Sequence, residues 1–221
     1  EELLTGLGSR NGLERLLQRS AIRLSRSVLP SGFTARLAWD SYGTSDACVA
    51  KTGWEADLMI SMFGAPGERV HCIPNGVESE FLEPVPADNQ RGKWLVCTAT
   101  ITERKRPLET AQAAVCAGTP IWIVGEPYSQ EDDYAKRFME FARQHSDLVR
   151  YEGGLNERVE LAAAYREARG FVLLSTMETL SLSALEARAC GCPVLLSKLP
   201  WATTTFGRDA RYCPVSSRLE A

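Results

Sequence analysis

Apolar residues fall along this chain in two alternating rhythms. Short unbroken runs are separated by longer stretches in which apolar positions recur three and four apart. The runs Ala47–Ala50, Val70–Ile73, Trp94–Thr98, Pro120–Val124, Leu148–Tyr151, Phe171–Leu174 and Val194–Leu196 read as buried strands, and Ala210–Cys213 as a short edge strand. The spaced stretches read as helices: Gly12–Leu29, a short one running to Tyr42, Trp54–Phe63, Pro107–Cys116, one with Tyr134, Phe138, Phe141 and Ala142 on one face, Val159–Ala168, and one from near Ser181 to Gly191. Their punctuation agrees. Pro107 opens its helix with Gly118 past its end, and Gly191 with Pro193 closes the last.

Unbroken apolar strands alternating with helices imply an α/β fold, a doubly wound parallel sheet of Rossmann type covered on both faces, with right-handed crossovers. The regular alternation starts only at Trp94. Ahead of it, the strands at 47–50 and 70–73 make the tail of a strand–helix–strand unit, a partial second α/β domain, so further N-terminal sequence is expected to precede it. Between the two, Phe81–Gly92 is polar and broken by Pro84 and Pro86. The expected division is therefore 1–83, a linker at 84–92, and 93–221.

With 221 residues, 44% of them hydrophobic, the chain can bury a substantial core. No apolar run approaches a membrane span and no signal-peptide pattern opens the sequence, so a cytoplasmic location is expected. The seven cysteines are odd in number and scattered, and Cys48, Cys97 and Cys116 sit in apolar text, which points to reduced, buried thiols. Cys190-Gly-Cys192 is too tight for a CxxC site and no His/Cys cluster accompanies it, so no metal is expected. The net charge of -3, with no broad basic stripe, argues against nucleic acid as a partner. Arg15, Arg19, Arg23 and Arg26 line one face of the first helix. Such a face suits anionic lipid at the cytoplasmic side of a membrane, or an acidic partner, although a solvated face on a packed helix is the commoner use.

Ligands of parallel sheets bind outside the carboxyl ends of the strands. That edge here carries Thr98–Lys105, Gly125-Glu126-Pro127, Gly153-Gly154-Leu155 and Ser175–Leu182. Arg104-Lys105-Arg106 puts three cations just ahead of a helix start, and the last loop ends in the free amides of another. Cations and amides on one rim suit a diphosphate. Gly125 and Gly153-Gly154 permit close backbone approach, as turn glycines without a ligand also do. Glu178 and Glu186 stand eight positions apart. With Glu178 in the loop and Glu186 inside the helix, the two carboxylates can meet opposite ends of an extended ligand.

Four places together resemble the family 4 glycosyltransferases of the two-Rossmann-domain (GT-B) type over Asp46–Pro214. They are Ile73-Pro-Asn-Gly-Val77 followed by Phe81 and Pro84; Thr98–Lys105; the strand ends Ile123-Val-Gly125 and Tyr151-Glu-Gly153; and Glu178 to Glu186 followed by Ala187–Val194. The resemblance implies a retaining, metal-independent enzyme without a cofactor. It would move a sugar from a nucleotide-sugar donor, UDP- or GDP-linked, to an unidentified acceptor, as in glycan or glycolipid synthesis. By the same resemblance Lys105 contacts the diphosphate, Glu178 the donor sugar and Glu186 the ribose. The amides of Leu180 to Leu182 meet the phosphates, and Gly154-Leu155 lie near the base.

The chain departs from the family pattern in two places. Thr100 stands where an arginine is usual, so Arg104 or Arg106 supplies that charge or the donor pocket differs. Thr179 and Ser181 replace glycines after the first glutamate. The expectation is a donor-binding half with a remnant of the acceptor half, unable to transfer sugar alone. Two alternatives stay open: a non-catalytic nucleotide-sugar-binding module, and a GT-B-fold epimerase or phosphorylase.

Overall fold

The computed structural model describes residues 40–83 and 91–215. The arginine-bearing first helix and the centre of the expected linker lie outside the described residues. Two compact units divide the chain, Glu1–Asn75 with Thr203–Thr205, and Gly76–Ala202 with Phe206–Ala221.

In the first unit, residues 40–44 are helical. Strands β1 (Cys48–Ala50) and β2 (Val70–Cys72) pair in parallel around helix α1 (Gly53–Ser61). The start of α1 is set by a reciprocal cap. Thr52 accepts from the Glu55 amide at 3.1 Å, while Glu55 Oε2 accepts from the Lys51 amide at 2.7 Å.

The second unit is a six-stranded parallel sheet in the order β5-β4-β3-β6-β7-β8, formed by β3 (Leu95–Thr98), β4 (Ile121–Val124), β5 (Val149–Tyr151), β6 (Gly170–Leu173), β7 (Val194–Ser197) and β8 (Ala210–Cys213). The intervening helices are α2 (Pro107–Cys116), α3 (Asp133–Gln144), α4 (Arg158–Glu167), α5 (Leu182–Ala189) and α6 (Pro200–Phe206), whose Thr203–Thr205 group with the first unit. All four residues of β6 are buried and three of four in β3, β4 and β7, whereas the edge strands β5 and β8 are more open. The unbroken apolar runs are therefore the sheet's centre.

The order of strands reverses between β3 and β6: the chain runs outward to β5 on one side and to β8 on the other. Crossovers leaving in opposite directions open a crevice at the carboxyl ends of these two strands, the usual ligand position in doubly wound sheets.

Helices α2 and α3 have local causes. Asp132 caps α3 by accepting from the Ala135 amide at 2.9 Å, and Tyr134, Ala135, Phe138 and Ala142 bury one face. Phe141, expected on that face, is half-exposed and stacks on His145, with ring centroids 4.2 Å apart. Pro107 opens α2, and Gly118, at φ +58°, follows its end. The stretch expected to open the linker is already packed in this unit. Phe81 is fully buried beside Tyr165, and its carbonyl lies 3.6 Å from Cys190 Sγ. All seven cysteines are free. Burial pushes the Cys97 thiol up to about 12 and Cys192 to about 11. Cys116, expected inside, is exposed at the last turn of α2; its run of helical apolar text ends on the far side of the buried face.

Candidate donor site

The β3–α2 loop and the β6–α5 loop face each other across the crevice and are tied at the backbone. The Thr176 amide donates to the Arg104 carbonyl at 2.9 Å. Arg104 Nη1 donates to the Met177 carbonyl at 2.9 Å and to Glu178 Oε1 at 3.2 Å. Lys105 Nζ is ion-paired with the same Glu178 oxygen. The Glu178 side chain is 7% exposed and that of Lys105 15%, so water does little to weaken their attraction. One carboxylate thus answers two cations, and a surplus positive charge remains at the mouth of the crevice.

Helix α5 begins beside this cluster because Ser181 is a good N-cap. Its hydroxyl accepts from the Ala184 amide at 3.3 Å and lies 3.0 Å from Ser183 Oγ. The first-turn amides of Leu182 and Ser183 keep no acceptor among the described residues, as a helix start dictates. Surplus cations and unbonded amides favour an anion with several oxygens.

Glu186 sits just over one turn inside α5 and belongs to a different environment. Tyr165 on α4 donates its hydroxyl to Glu186 Oε2 at 3.3 Å, and the Tyr165 oxygen lies 2.6 Å from Thr98 Oγ1 at the end of β3. Arg158 Nη1 stands 3.9 Å from the other carboxylate oxygen, while Arg158 Nε holds Glu78 at 3.2 Å. Burial pushes the Glu186 carboxyl up from its ordinary value, opposed by Arg158 and by the Tyr165 hydrogen bond. The spacing of Glu178 and Glu186 is legible in the sequence. Tyr165 and Arg158 are not, since each reads as an ordinary helix residue, and nothing in the sequence links Thr98, at its strand end, to Glu186.

The rim glycines serve contacts between loops. At φ +149°, Gly125 would place a Cβ 2.0 Å from the Ala99 carbonyl oxygen, so only glycine lets these two loops meet. At φ +86°, a Cβ on Gly153 would fall 2.6 Å from Glu126 Oε1, the same oxygen that accepts from the Gly154 amide at 3.0 Å. The Ile101 amide donates to the Glu126 carbonyl at 3.1 Å and the Gly125 amide to the Gly153 carbonyl at 3.0 Å. Residues 125 and 126 therefore fasten the loops after β3, β4 and β5 together.

Lys105, Arg104, Glu178 and the start of α5 converge, whereas other expected site residues stand apart. Arg106 is left-handed at φ +57°, and its carbonyl accepts from both the amide and hydroxyl of Thr110 (3.0 and 2.7 Å). Its guanidinium does not join the Glu178 cluster. Thr100 and the exposed Thr179 make no side-chain hydrogen bond among the described residues. Leu180 and Leu155 are half-buried, and Leu182 is exposed. Among the described residues no group of three or more His, Cys, Asp or Glu could hold a metal ion, and no helix is long and apolar enough to cross a membrane.

Residues 94–216 match the family described as "Glycosyl transferases group 1". The D-inositol 3-phosphate glycosyltransferase 1 of Catenulispora acidiphila is 30% identical over 209 residues, 78% of this chain and 47% of that protein. The D-inositol 3-phosphate glycosyltransferase of Frankia alni is 29% identical over 205 residues, 79% of this chain and 50% of the relative. The chain thus spans about half the length of the curated relatives it matches. Among solved structures, Anabaena HepE in complex with UDP superposes with a TM-score of 0.68 at 18% identity, covering 86% of this chain and 56% of that one. Staphylococcus aureus TarM does so with a TM-score of 0.64 at 16% identity, covering 83% and 36%. Both likenesses support the parallel α/β fold described above. With the family model covering more than half of its length, the chain belongs to the group 1 glycosyltransferases.

Proposed function

We propose that this chain carries the donor-binding half of a retaining glycosyltransferase, which moves a sugar from a nucleoside diphosphate sugar to an acceptor hydroxyl. The observation that carries the reading is the convergence of Lys105 and Arg104 with the unbonded amides of α5 at the point where the strand order reverses. In the transfer the bond between the anomeric carbon and the diphosphate oxygen breaks, a new bond to the acceptor oxygen forms, and the acceptor's proton passes to the departing diphosphate. The leaving diphosphate gains negative charge as that bond breaks. Lys105, Arg104 and the helix start would stabilise that charge in this reading, which calls on no metal. Glu178 would turn to hydroxyls of the donor sugar. Glu186, held from behind by Tyr165, would offer an oxygen to the ribose. The binding of UDP by Anabaena HepE, which shares the fold, supports a nucleoside diphosphate as the ligand class.

The acceptor half is proposed to lie mainly outside these 221 residues, a reading supported by the half-length match to relatives. The chain alone is then expected to bind donor and transfer no sugar. A cytoplasmic site of action accompanies the proposal, since nucleotide sugars are the substrate.

Calorimetric titration of the chain with UDP- and GDP-linked sugars tests the reading directly. Binding of at least one donor, weakened about a hundredfold or more in Lys105→Ala, is the expected result; that is the loss of about 2.7 kcal/mol from a charge-assisted contact to phosphate. Equal affinity in Lys105→Ala would remove the lysine from the site. Absence of any nucleotide binding by the parent chain would remove the function.

A further inference from the structure

We infer that Glu178 is a built-in competitor for the donor's diphosphate, and that through this competition it selects sugar-bearing nucleoside diphosphates against bare ones. The inference rests on the nucleotide-sugar reading above and adds to it a second role for the carboxylate.

Glu178 Oε1 occupies the position on Lys105 and Arg104 that a phosphate oxygen would take. It accepts from Arg104 Nη1 at 3.2 Å and pairs with Lys105 Nζ. The pair is shielded, with side-chain exposures of 7% for Glu178 and 15% for Lys105, so solvent ions cannot easily take the place of either partner. Nor is the arrangement one loose side chain resting on another. The Thr176 amide is bonded to the Arg104 carbonyl at 2.9 Å, and Arg104 Nη1 to the Met177 carbonyl at 2.9 Å, so the backbone on both sides of the crevice holds the carboxylate against the cations.

A diphosphate reaching Lys105 must therefore displace Glu178. A displaced, poorly hydrated carboxylate costs free energy until it finds new hydrogen-bond donors. A nucleotide sugar brings them, because hydroxyls of its sugar can donate to the freed oxygens. A bare nucleoside diphosphate brings none, and sets one anion against another. Without Glu178 the preference would run the other way. The bare diphosphate carries more negative charge at neutral pH than its sugar ester, so a cluster of cations alone would hold the product more tightly than the substrate. Returning to Lys105 once the sugar has left, Glu178 favours release of the product.

The test is calorimetry on the 221-residue chain with UDP, UDP-glucose, GDP, GDP-mannose and inorganic pyrophosphate, comparing the parent with Glu178→Gln and Glu178→Ala. Glutamine keeps the shape and removes the charge; alanine removes both, and a melting curve for each shows that it folds. Both variants are expected to bind bare diphosphates and pyrophosphate about tenfold or more tightly than the parent. The parent's preference for sugar-bearing ligands should be lost in both. If Glu178 met only the sugar, affinity for pyrophosphate and bare diphosphates would not change in folded variants, and that result overturns the inference while leaving the donor reading intact. A parent chain that binds no nucleotide overturns the donor reading, and this inference with it. Should Glu178→Gln fail to fold, Glu178→Asp, which shortens the reach to Lys105, carries the same expectation.

Discussion

Glu178 and Glu186 have the same side chain and opposite surroundings. The first lies on two cations. The second is buried behind a tyrosine hydroxyl with one arginine 3.9 Å away. Burial holds the Glu186 carboxyl above its ordinary value, and the sign of the consequence follows. A group whose folded pKa lies above its unfolded one, about 4.3 for glutamate, adds stability that is complete below the unfolded value and is lost as pH rises through the folded value. At pH 7 the buried carboxylate therefore opposes folding. Glu186→Gln, which keeps an acceptor for Tyr165 and removes the charge, is expected to unfold at higher urea than the parent at pH 7. Its advantage should shrink as the pH falls toward about 4.3, the unfolded value. Urea titrations at the two pH values decide the point, and a variant less stable than the parent at pH 7 would show that Arg158 outweighs burial. If Glu186 takes the ribose, the same variant binds nucleotide more weakly, a separation of stability from affinity that a purely structural residue would not produce. At this scale the two glutamates are visible as a spaced pair in strand–loop–helix text. Their pairings are not, because Lys105 and Glu178 are joined across 73 positions and Tyr165 sits in helix α4 as one apolar residue among others.

The elements are far more legible than the contacts between them. Continuous apolar runs mark β3, β4, β6 and β7 because a central parallel strand is buried on both faces and leaves no polar position to interrupt the run. The span of α2 is readable to the residue from Pro107 and the glycine beyond its end. Helix α6 leaves little trace in the sequence: Thr203-Thr-Thr205 runs against helix propensity, and its apolar anchors Trp201, Ala202 and Phe206 are few and close together. From the sequence, Gly125 is a place for a ligand to approach. In the fold it is where the β4 loop passes the Ala99 carbonyl, and a Cβ there would stand 2.0 Å from that oxygen. Gly125→Ala must therefore force the β4 loop away from the loop that carries Ala99–Arg106, besides straining a backbone at φ +149°. A loss on the order of 3 kcal/mol or more is expected in chemical denaturation. Weaker donor binding should accompany it even well below the unfolding transition, since the loop bearing Lys105 is displaced. A loss under about 1 kcal/mol would mean that the rim is looser than the contact implies.

Across the whole molecule, every group of the candidate site belongs to one of the two compact units. Lys105, Glu178, Glu186, Tyr165 and the rim loops all lie within Gly76–Ala202, whereas β1, α1 and β2 lie in the other. A ligand that binds only the folded form stabilises it by RT ln(1 + [L]/Kd), about 2.7 kcal/mol at a hundredfold excess over Kd. That stabilisation is felt by whatever opens together with the site. Amide hydrogen exchange therefore reads the organisation of the chain. With a bound nucleotide sugar at such an excess, the slowest-exchanging amides of the central sheet, such as those of Val96, Ile123 and Val172, are expected to slow by up to about a hundredfold. The Ile73 amide, bonded to the Ala50 carbonyl at 2.8 Å in the first unit, should keep its rate. Equal slowing of both would mean that the two units open as one cooperative body. Slowing confined to the loop amides near Thr176 and Gly154, with the strands unchanged, would mean that donor binding orders the rim without stabilising the sheet beneath it. The expected pattern, strands of one unit protected and those of the other unaffected, is what a donor site built wholly from the second unit requires.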